Sequence, residues 1–301
     1  MKTTLACILF ILLTIESFSQ CGCGVGASAG GLAPVAGSAN VGVVRTGNFR
    51  IFAYYSHSQG SDYFKGDINQ GKGPIESFSS DFSGINVAYG LTRKFTLEAD
   101  FGYFFNKTQR IYETEYIARG PSYLSLSGKY NIFYDFENSV EITFGLGARL
   151  PMPDKAKSQP QHIRPSTGAY GVNLQAFFFK GFEQVGLSLI YFGRAELNTK
   201  NSETYRYGYS FVNSVFLVKP FFENFSGALE LSDEHRMKDN FEGSKICDSG
   251  GNILVVSPQV SYSLGLITLT AAVDYPVYAF YNGSQLARDF NISFIINIEL
   301  E

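Results

Sequence analysis

The sequence has no tryptophan, and only 17% of its 301 residues are charged. It lacks any excess of basic charge: 24 Lys and Arg stand against 27 Asp and Glu, giving a formal net charge of −3 and a pI near 5.7. A nucleic-acid partner is therefore not expected, because such proteins carry a basic patch or stripe. Beyond the extreme N-terminus no apolar run approaches the roughly 20 residues that a membrane helix needs, which excludes a helical bundle. Cysteine is scarce, with four in the chain. What is present is a chain that is 45% hydrophobic and 16% aromatic, with 28 Phe, 19 Tyr and 31 Gly. That composition favours strands and turns and provides enough apolar surface to exclude disorder as a global description.

Residues 1–20 read as an export signal. Lys2 supplies the positive start, Leu5 to Ile15 a short apolar stretch, and Ser17-Phe18-Ser19 the small-x-small pattern at which cleavage is expected near Gln20. Cys7 leaves with it, so Cys21, Cys23 and Cys247 remain, an odd number that cannot all pair within one chain. Acylation of Cys21 as a lipoprotein is the alternative, and Gln20 fits it poorly.

Residues 21–47 form a Gly/Ala-rich leader with no charge before Arg45. Gly24-Val25-Gly26-Ala27-Ser28-Ala29 loosely fits a dinucleotide-binding fingerprint, but no strand precedes it and no amphipathic helix follows. The leader either threads a lumen as a plug or hangs free on one side of the membrane.

From residue 48 onward the hydrophobic period is two. Phe95, Leu97, Ala99, Phe101 and Tyr103 share one face, and Thr96, Glu98, Asp100 and Gly102 the other. Val140, Ile142, Phe144, Leu146 and Ala148 alternate with Glu141, Thr143, Gly145, Gly147 and Arg149, and the pattern recurs to the C-terminus, where Phe294 and Ile296 flank Ile295. About twelve such segments are expected, near 49–58, 82–92, 95–106, 120–133, 139–150, 169–180, 185–195, 205–218, 225–234, 253–264, 267–278 and 287–300. Each is about the length a tilted membrane strand needs.

The connectors alternate, short near 92–94, 134–138, 180–184, 219–224 and 265, and long at 59–81, 107–119, 151–168, 196–204, 235–252 and 279–286. This predicts an all-β, antiparallel up-and-down transmembrane barrel over 48–301, with an even strand number and both termini in the periplasm. A secreted β-sandwich would share the alternating faces but not the alternating connectors. Two residues resist the register: Asn213 falls on an apolar face, where a bulge would repair it, and Pro258 interrupts a strand.

In this layout of signal, alternating strands, tight turns and long loops, residues 49–301 resemble the outer-membrane β-barrels of Gram-negative bacteria. They are similar in particular to twelve-stranded transporters of the phenol-degradation (MetA-pathway) type, and at the level of layout to long-chain fatty acid transporters with a plug-like N-terminal segment. The resemblance implies residence among outer-membrane lipid and transport of a small solute.

If the apolar faces meet lipid, then Arg50, Glu98, Asp100, Lys129, Glu141, Arg149, Arg194, Glu230, Asp274 and Glu299 point into the lumen. Their mixed signs either neutralise one another in a structural network or line a polar pathway. Phe52, Tyr54, Phe104, Phe177, Ile190 and Phe192 share that register and would suit an apolar solute or simply fill a narrow bore. Two function classes follow: a channel or transporter, and a non-conducting barrel acting through its loops.

Cys21-Gly22-Cys23 is the one pointed constellation. Two thiolates so spaced can hold a soft metal such as Cu(I), while tetrahedral zinc would need two further ligands that no nearby pattern supplies. No other cofactor is expected. Enzymatic activity is not expected either: of His57, His162 and His235, only His57 lies beside serines, and neighbours on a strand point to opposite faces.

Overall fold

The computed structural model describes residues 42–301 apart from 74, 112, 154–158 and 160–162. Twelve long strands form the wall: β1 (Phe49–Gly60), β2 (Ile75–Gly90), β3 (Phe95–Ile111), β4 (Thr114–Asp135), β5 (Val140–Leu150), β6 (Gly171–Phe182), β7 (Leu187–Asn198), β8 (Ser210–Pro220), β9 (Phe225–Arg236), β10 (Gly251–Leu264), β11 (Ile267–Leu286) and β12 (Phe290–Leu300). Each pairs antiparallel with its neighbours in sequence, and β12 pairs with β1 from Phe49↔Leu300 to Gln59↔Phe290, so the sheet closes. Closure leaves no open edge around the girdle, which a hydrocarbon environment demands. Because the strand number is even, Phe49 and Leu300 lie together at one end, called here the terminal end; the opposite one is the loop end.

Period-two alternation sorts the side chains. Leu126, Phe144, Leu146, Leu217, Val260 and Phe294 are exposed outward, while their neighbours Ser125, Thr143, Ser214, Gln259 and Ile295 are buried inward. A polar inside and an apolar outside invert the arrangement of a soluble domain and make this a transmembrane barrel. Near the terminal end, Phe49 packs on Tyr89 and Phe225 on Tyr262, each pair with ring centroids 4.6 Å apart. These rings occupy the place of an interfacial girdle, with Tyr in the role that Trp shares elsewhere. Replacing Leu146 by Arg should lower the unfolding free energy in lipid vesicles by about 2–4 kcal/mol, because the charge would face the hydrocarbon, and Arg at the bore-facing Gly147 would not carry that membrane penalty.

Two expectations need correction. Long connectors do not alternate strictly with short ones: β3 and β4 stay paired up to Ile111↔Thr114, and β11 runs to Leu286, so segments expected as loops at 107–119 and 279–286 are strand. Alternation persists there beyond the apolar band, as in Lys107 and Gln109 turned inward against exposed Arg110, and it pairs as readily in water. No bulge accommodates Asn213. Its ladders to β7 and β9 are regular, and Oδ1 accepts a hydrogen bond of 2.8 Å from the Tyr191 hydroxyl on the outer face. Tyr191 lies across Gly193, where a Cβ would sit 2.7 Å from the phenolic oxygen, so that glycine gives the ring its room. Pro258 lies in β10 at a break in pairing: the ladder to β11 skips from Val256↔Tyr275 to Gln259↔Ala272, and a second irregularity follows between Leu254 and Val255, opposite Pro276. Two prolines thus weaken one seam, each lacking a donor for the ladder.

Candidate functional site: the charged bore

Twelve strands about 4.8 Å apart and tilted near 40° put the backbone on a cylinder of roughly 12 Å radius, leaving side chains to decide how much of the bore stays open. Here they fill much of it in three layers.

Nearest the terminal end, Glu98 on β3 receives Lys129 Nζ at 2.9 Å and Arg50 Nη2 at 3.5 Å, all three buried. Beside them Glu141 on β5 accepts from Thr143 Oγ1 at 3.0 Å, and Asn131 reaches Thr143 at 3.3 Å. Glu299, the partner of Arg50 across β1 and β12, is half-buried at the rim.

The middle layer divides into two walls. On one, Asp100 accepts from the Tyr123 hydroxyl at 3.4 Å, and Tyr123 and Tyr54 stand 3.5 Å apart beside Phe82 and Phe104. Opposite, Phe177, Ile190, Phe192, Phe216 and Val218 on β6 to β8 form a buried apolar cluster. Glu230 accepts from Gln259 at 2.8 Å, and Asp274 from Asn291 at 2.7 Å.

Toward the loop end Glu196 sits between two guanidinium groups, 2.9 Å from Arg149 Nη1 and 2.6 Å from Arg194 Nη2. Arg149 also donates to Asn198, and Arg236 to Asp239. Arg288 holds Glu234 at 2.9 Å. Arg149 Nε, Arg194 Nε and Arg50 Nη1 are buried without hydrogen-bond partners among the described residues. Donors left unmatched inside a protein cost free energy unless something else meets them.

Of the ten charged residues placed inward by the sequence, all sit on inward registers, but they form separate groups. Glu196, Glu234, Arg236 and Arg288 were not singled out from sequence. The expected strand stopped at residue 195, although Arg194, Glu196 and Asn198 continue its alternation; Arg236 fell in the expected loop 235–252, and Glu234 and Arg288 at the ends of the expected strands 225–234 and 287–300.

The start of the described chain belongs to this site. Thr46 forms a parallel bridge with Gly90, Val44 N–H donates to Thr96 Oγ1 at 2.8 Å, and Val43 N–H donates to Glu141 Oε1 at 3.3 Å. Residues 42–46 therefore cross the terminal mouth from β2 toward β5, and Val44 is buried. Residues 1–41, with the expected export signal, Cys21 and Cys23, lie outside the described residues, as does His162.

Among the described residues no group of three or more His, Cys, Asp and Glu could hold a metal ion. Cys247 is exposed in the segment between β9 and β10. That segment and the one before β8 form a small three-stranded sheet outside the wall, with Asp239 accepting from the Tyr205 hydroxyl at 2.5 Å. Burial and the neighbouring carboxylate push the Tyr205 hydroxyl well above its ordinary pKa. His57 meets Asp81 at 2.8 Å on the outer face, pointing away from Ser58, which bonds Asn291 inside.

By sequence, no family model and no curated protein matches the chain. Solved structures do. A COG4313 outer membrane channel from Pseudomonas putida F1 aligns with a TM-score of 0.69 at 12% identity, covering 88% of this chain and all of that one. The KdgM porin gives a TM-score of 0.45 at 9% identity over 82% of this chain and 98% of its own, and the translocator domain of the autotransporter NalP from Neisseria meningitidis gives 0.46 at 12% over 92% of each. At 12% identity what the first of these shares with the chain is the fold, over nearly the whole wall.

Proposed function

We propose that the protein is an outer-membrane channel for a small solute, with the terminal end in the periplasm. The observation that carries this reading is the Arg149–Glu196–Arg194 group. A barrel serving only as a support gains nothing from buried charge, since an apolar filling of the same volume is often as stable or more so. Charges of both signs with spare guanidinium donors, set directly beside the apolar patch of Phe177, Phe192 and Phe216 on the same wall, make a bore suited to a solute with a polar and an apolar side. The similar fold of a protein described as an outer membrane channel supports the same reading. So does the resemblance in layout to transporters of the phenol-degradation type. On this reading residues 1–20 are a signal, residues 21–47 a plug, no catalysis is involved, and Cys21 and Cys23 form an accessory soft-metal pair.

The alternative is a non-conducting barrel acting through its loops. Planar-bilayer recordings of the mature protein separate the two: discrete conductance steps are expected, with ion selectivity altered by Arg194→Gln. Silence, both for the full chain and for one shortened to begin at Thr46, would leave the non-conducting barrel.

A further inference from the structure

We infer that the bore holds a binding site for the ammonium group of a small organic amine, formed by Glu230, Ser257 and Asp274, with the apolar body of the amine on Phe216 and its neighbours; this rests on the channel reading and names a class of solute for it. The strands bring these residues into one row. Phe216 on β8 is the partner of Ile190 on one side and of Glu230 on the other, and Glu230 on β9 is the partner of Ser257 on β10. Asp274 on β11 continues the row. The ladder pairs Val256↔Tyr275 and Gln259↔Ala272, a register that sets Asp274 against Ser257, and Asp274 is in turn the partner of Asn291 on β12. Neighbouring strands lie about 4.8 Å apart, so the two carboxylates stand on Cα atoms about 10 Å apart, with Ser257 between them on the concave side of the wall.

Charge is unmatched along this row. Neither Glu230 nor Asp274 forms an ion pair among the described residues. The nearby charges do not relieve them: Asp274 and Glu234 both repel Glu230, and Arg288, whose charge also reaches Asp274, is held by Glu234 at 2.9 Å. The donors at hand are spent as well. Gln259 Nε2 donates to Glu230 at 2.8 Å, and Asn291 Nδ2 donates to Asp274 at 2.7 Å and to Ser293 at 3.0 Å. Left over are Gln259 Oε1 and Ser257 Oγ, both buried without a hydrogen-bond partner among the described residues, on side chains whose residues are only 7% and 1% exposed. Such groups cost free energy unless a ligand meets them.

The unmet set consists of two carboxylates, an amide oxygen and a hydroxyl, which calls for a cation that carries hydrogens. A primary ammonium brings three N–H donors and no acceptor, whereas a divalent metal asks for about six or more oxygens. The other half of the ligand is set by the same row. Phe216 is fully buried and packs with Phe177, Ile190, Phe192 and Val218, so an apolar surface begins one strand away from Glu230. Asp274 is only half-buried and offers the way in from the open bore. An amine with an aromatic or aliphatic body therefore lies along the row, its ammonium over Ser257 and its body toward Phe216. An alcohol of the same shape would leave both carboxylates without a counter-charge.

The test is titration calorimetry of the full mature protein in maltoside micelles, which needs no conducting bore. The probes are 2-phenylethylamine, charged at pH 7, and 2-phenylethanol, its uncharged counterpart. The amine is expected to bind at least about tenfold more tightly than the alcohol, and Glu230→Gln and Asp274→Asn should each weaken the amine by about tenfold while leaving the alcohol unchanged. Ser257→Ala, which keeps both carboxylates, should weaken the amine by roughly threefold. Equal affinity for the two probes would overturn the site, and so would amine binding that none of the three variants moves. Displacement of the amine by KCl at equal concentration would assign the row to any monovalent cation and overturn the amine class. Binding to a protein that is silent in planar bilayers would keep the site and remove the channel reading; conductance without binding would do the reverse.

Discussion

Replacing Glu196 by Gln should lower the unfolding free energy by about 3–5 kcal/mol, measured by urea denaturation in lipid vesicles, because two buried guanidinium groups lose the one carboxylate between them. Both are fully inside the wall, and Asn198 offers Arg149 only a neutral acceptor. The same substitution should turn the bore toward anions, read as a shift of reversal potential in a salt gradient. Stability and selectivity can be pulled apart. Exchanging Arg149 and Arg194 for Met together with Glu196 for Leu removes charge and counter-charge at once, and should recover most of the lost stability. It should also abolish ion selectivity at that layer. If the triple variant were as unstable as the single one, shape rather than charge would explain the group; if Glu196→Gln were neutral in both assays, these charges would be mere filling.

Much of the barrel was legible in the sequence because one physical constraint writes itself at every second residue. A strand between lipid and a wet or polar bore must alternate, so Phe95 to Tyr103 and Val140 to Leu150 announce both strand and face. Even the apparent exception at Asn213 is an ordinary outward residue whose partner lies on the neighbouring strand: the Tyr191 hydroxyl that meets it comes from β7. What could not be read is where strands leave the membrane, because hydrogen-bond ladders continue in water with no change of period. Hence Lys107 to Ile111 and Ala279 to Leu286 read as loop, although both are strand. The grouping of charges was hidden for another reason. Sequence says that Arg149 and Arg194 face inward; that they share Glu196 depends on strand stagger around a closed cylinder, which no single strand contains. The apolar wall of Phe177, Phe192 and Phe216 likewise needs three neighbouring strands to be seen.

Removing residues 21–44 should raise conductance by on the order of tenfold, because a bore of this strand number is wide enough for a small solute once nothing crosses its mouth. The described part of the leader already lies where a plug must begin. Its backbone enters the terminal mouth at Thr46, passes Thr96, and reaches Glu141. Gly42 packs so closely on Glu141 that a Cβ there would fall 1.7 Å from the carboxylate oxygen, a clash the flexible side chain could relieve by turning. Gly90 is the stricter contact. A Cβ at that position would lie 2.0 Å from the Arg45 carbonyl oxygen and 2.6 Å from that of Val44, and backbone cannot step aside as a side chain can. Gly90→Val should therefore lift the crossing segment without shortening the chain, and its conductance should approach that of the deletion. Glu141→Ala removes a single acceptor of one backbone N–H, worth about 1.4 kcal/mol at most, so its open fraction should rise by no more than roughly tenfold. The order expected in single-channel records is full chain, Glu141→Ala, Gly90→Val, deletion. If all four conducted alike, the leader would be a tail rather than a gate, and the closed state of the bore would rest on its charged side chains alone.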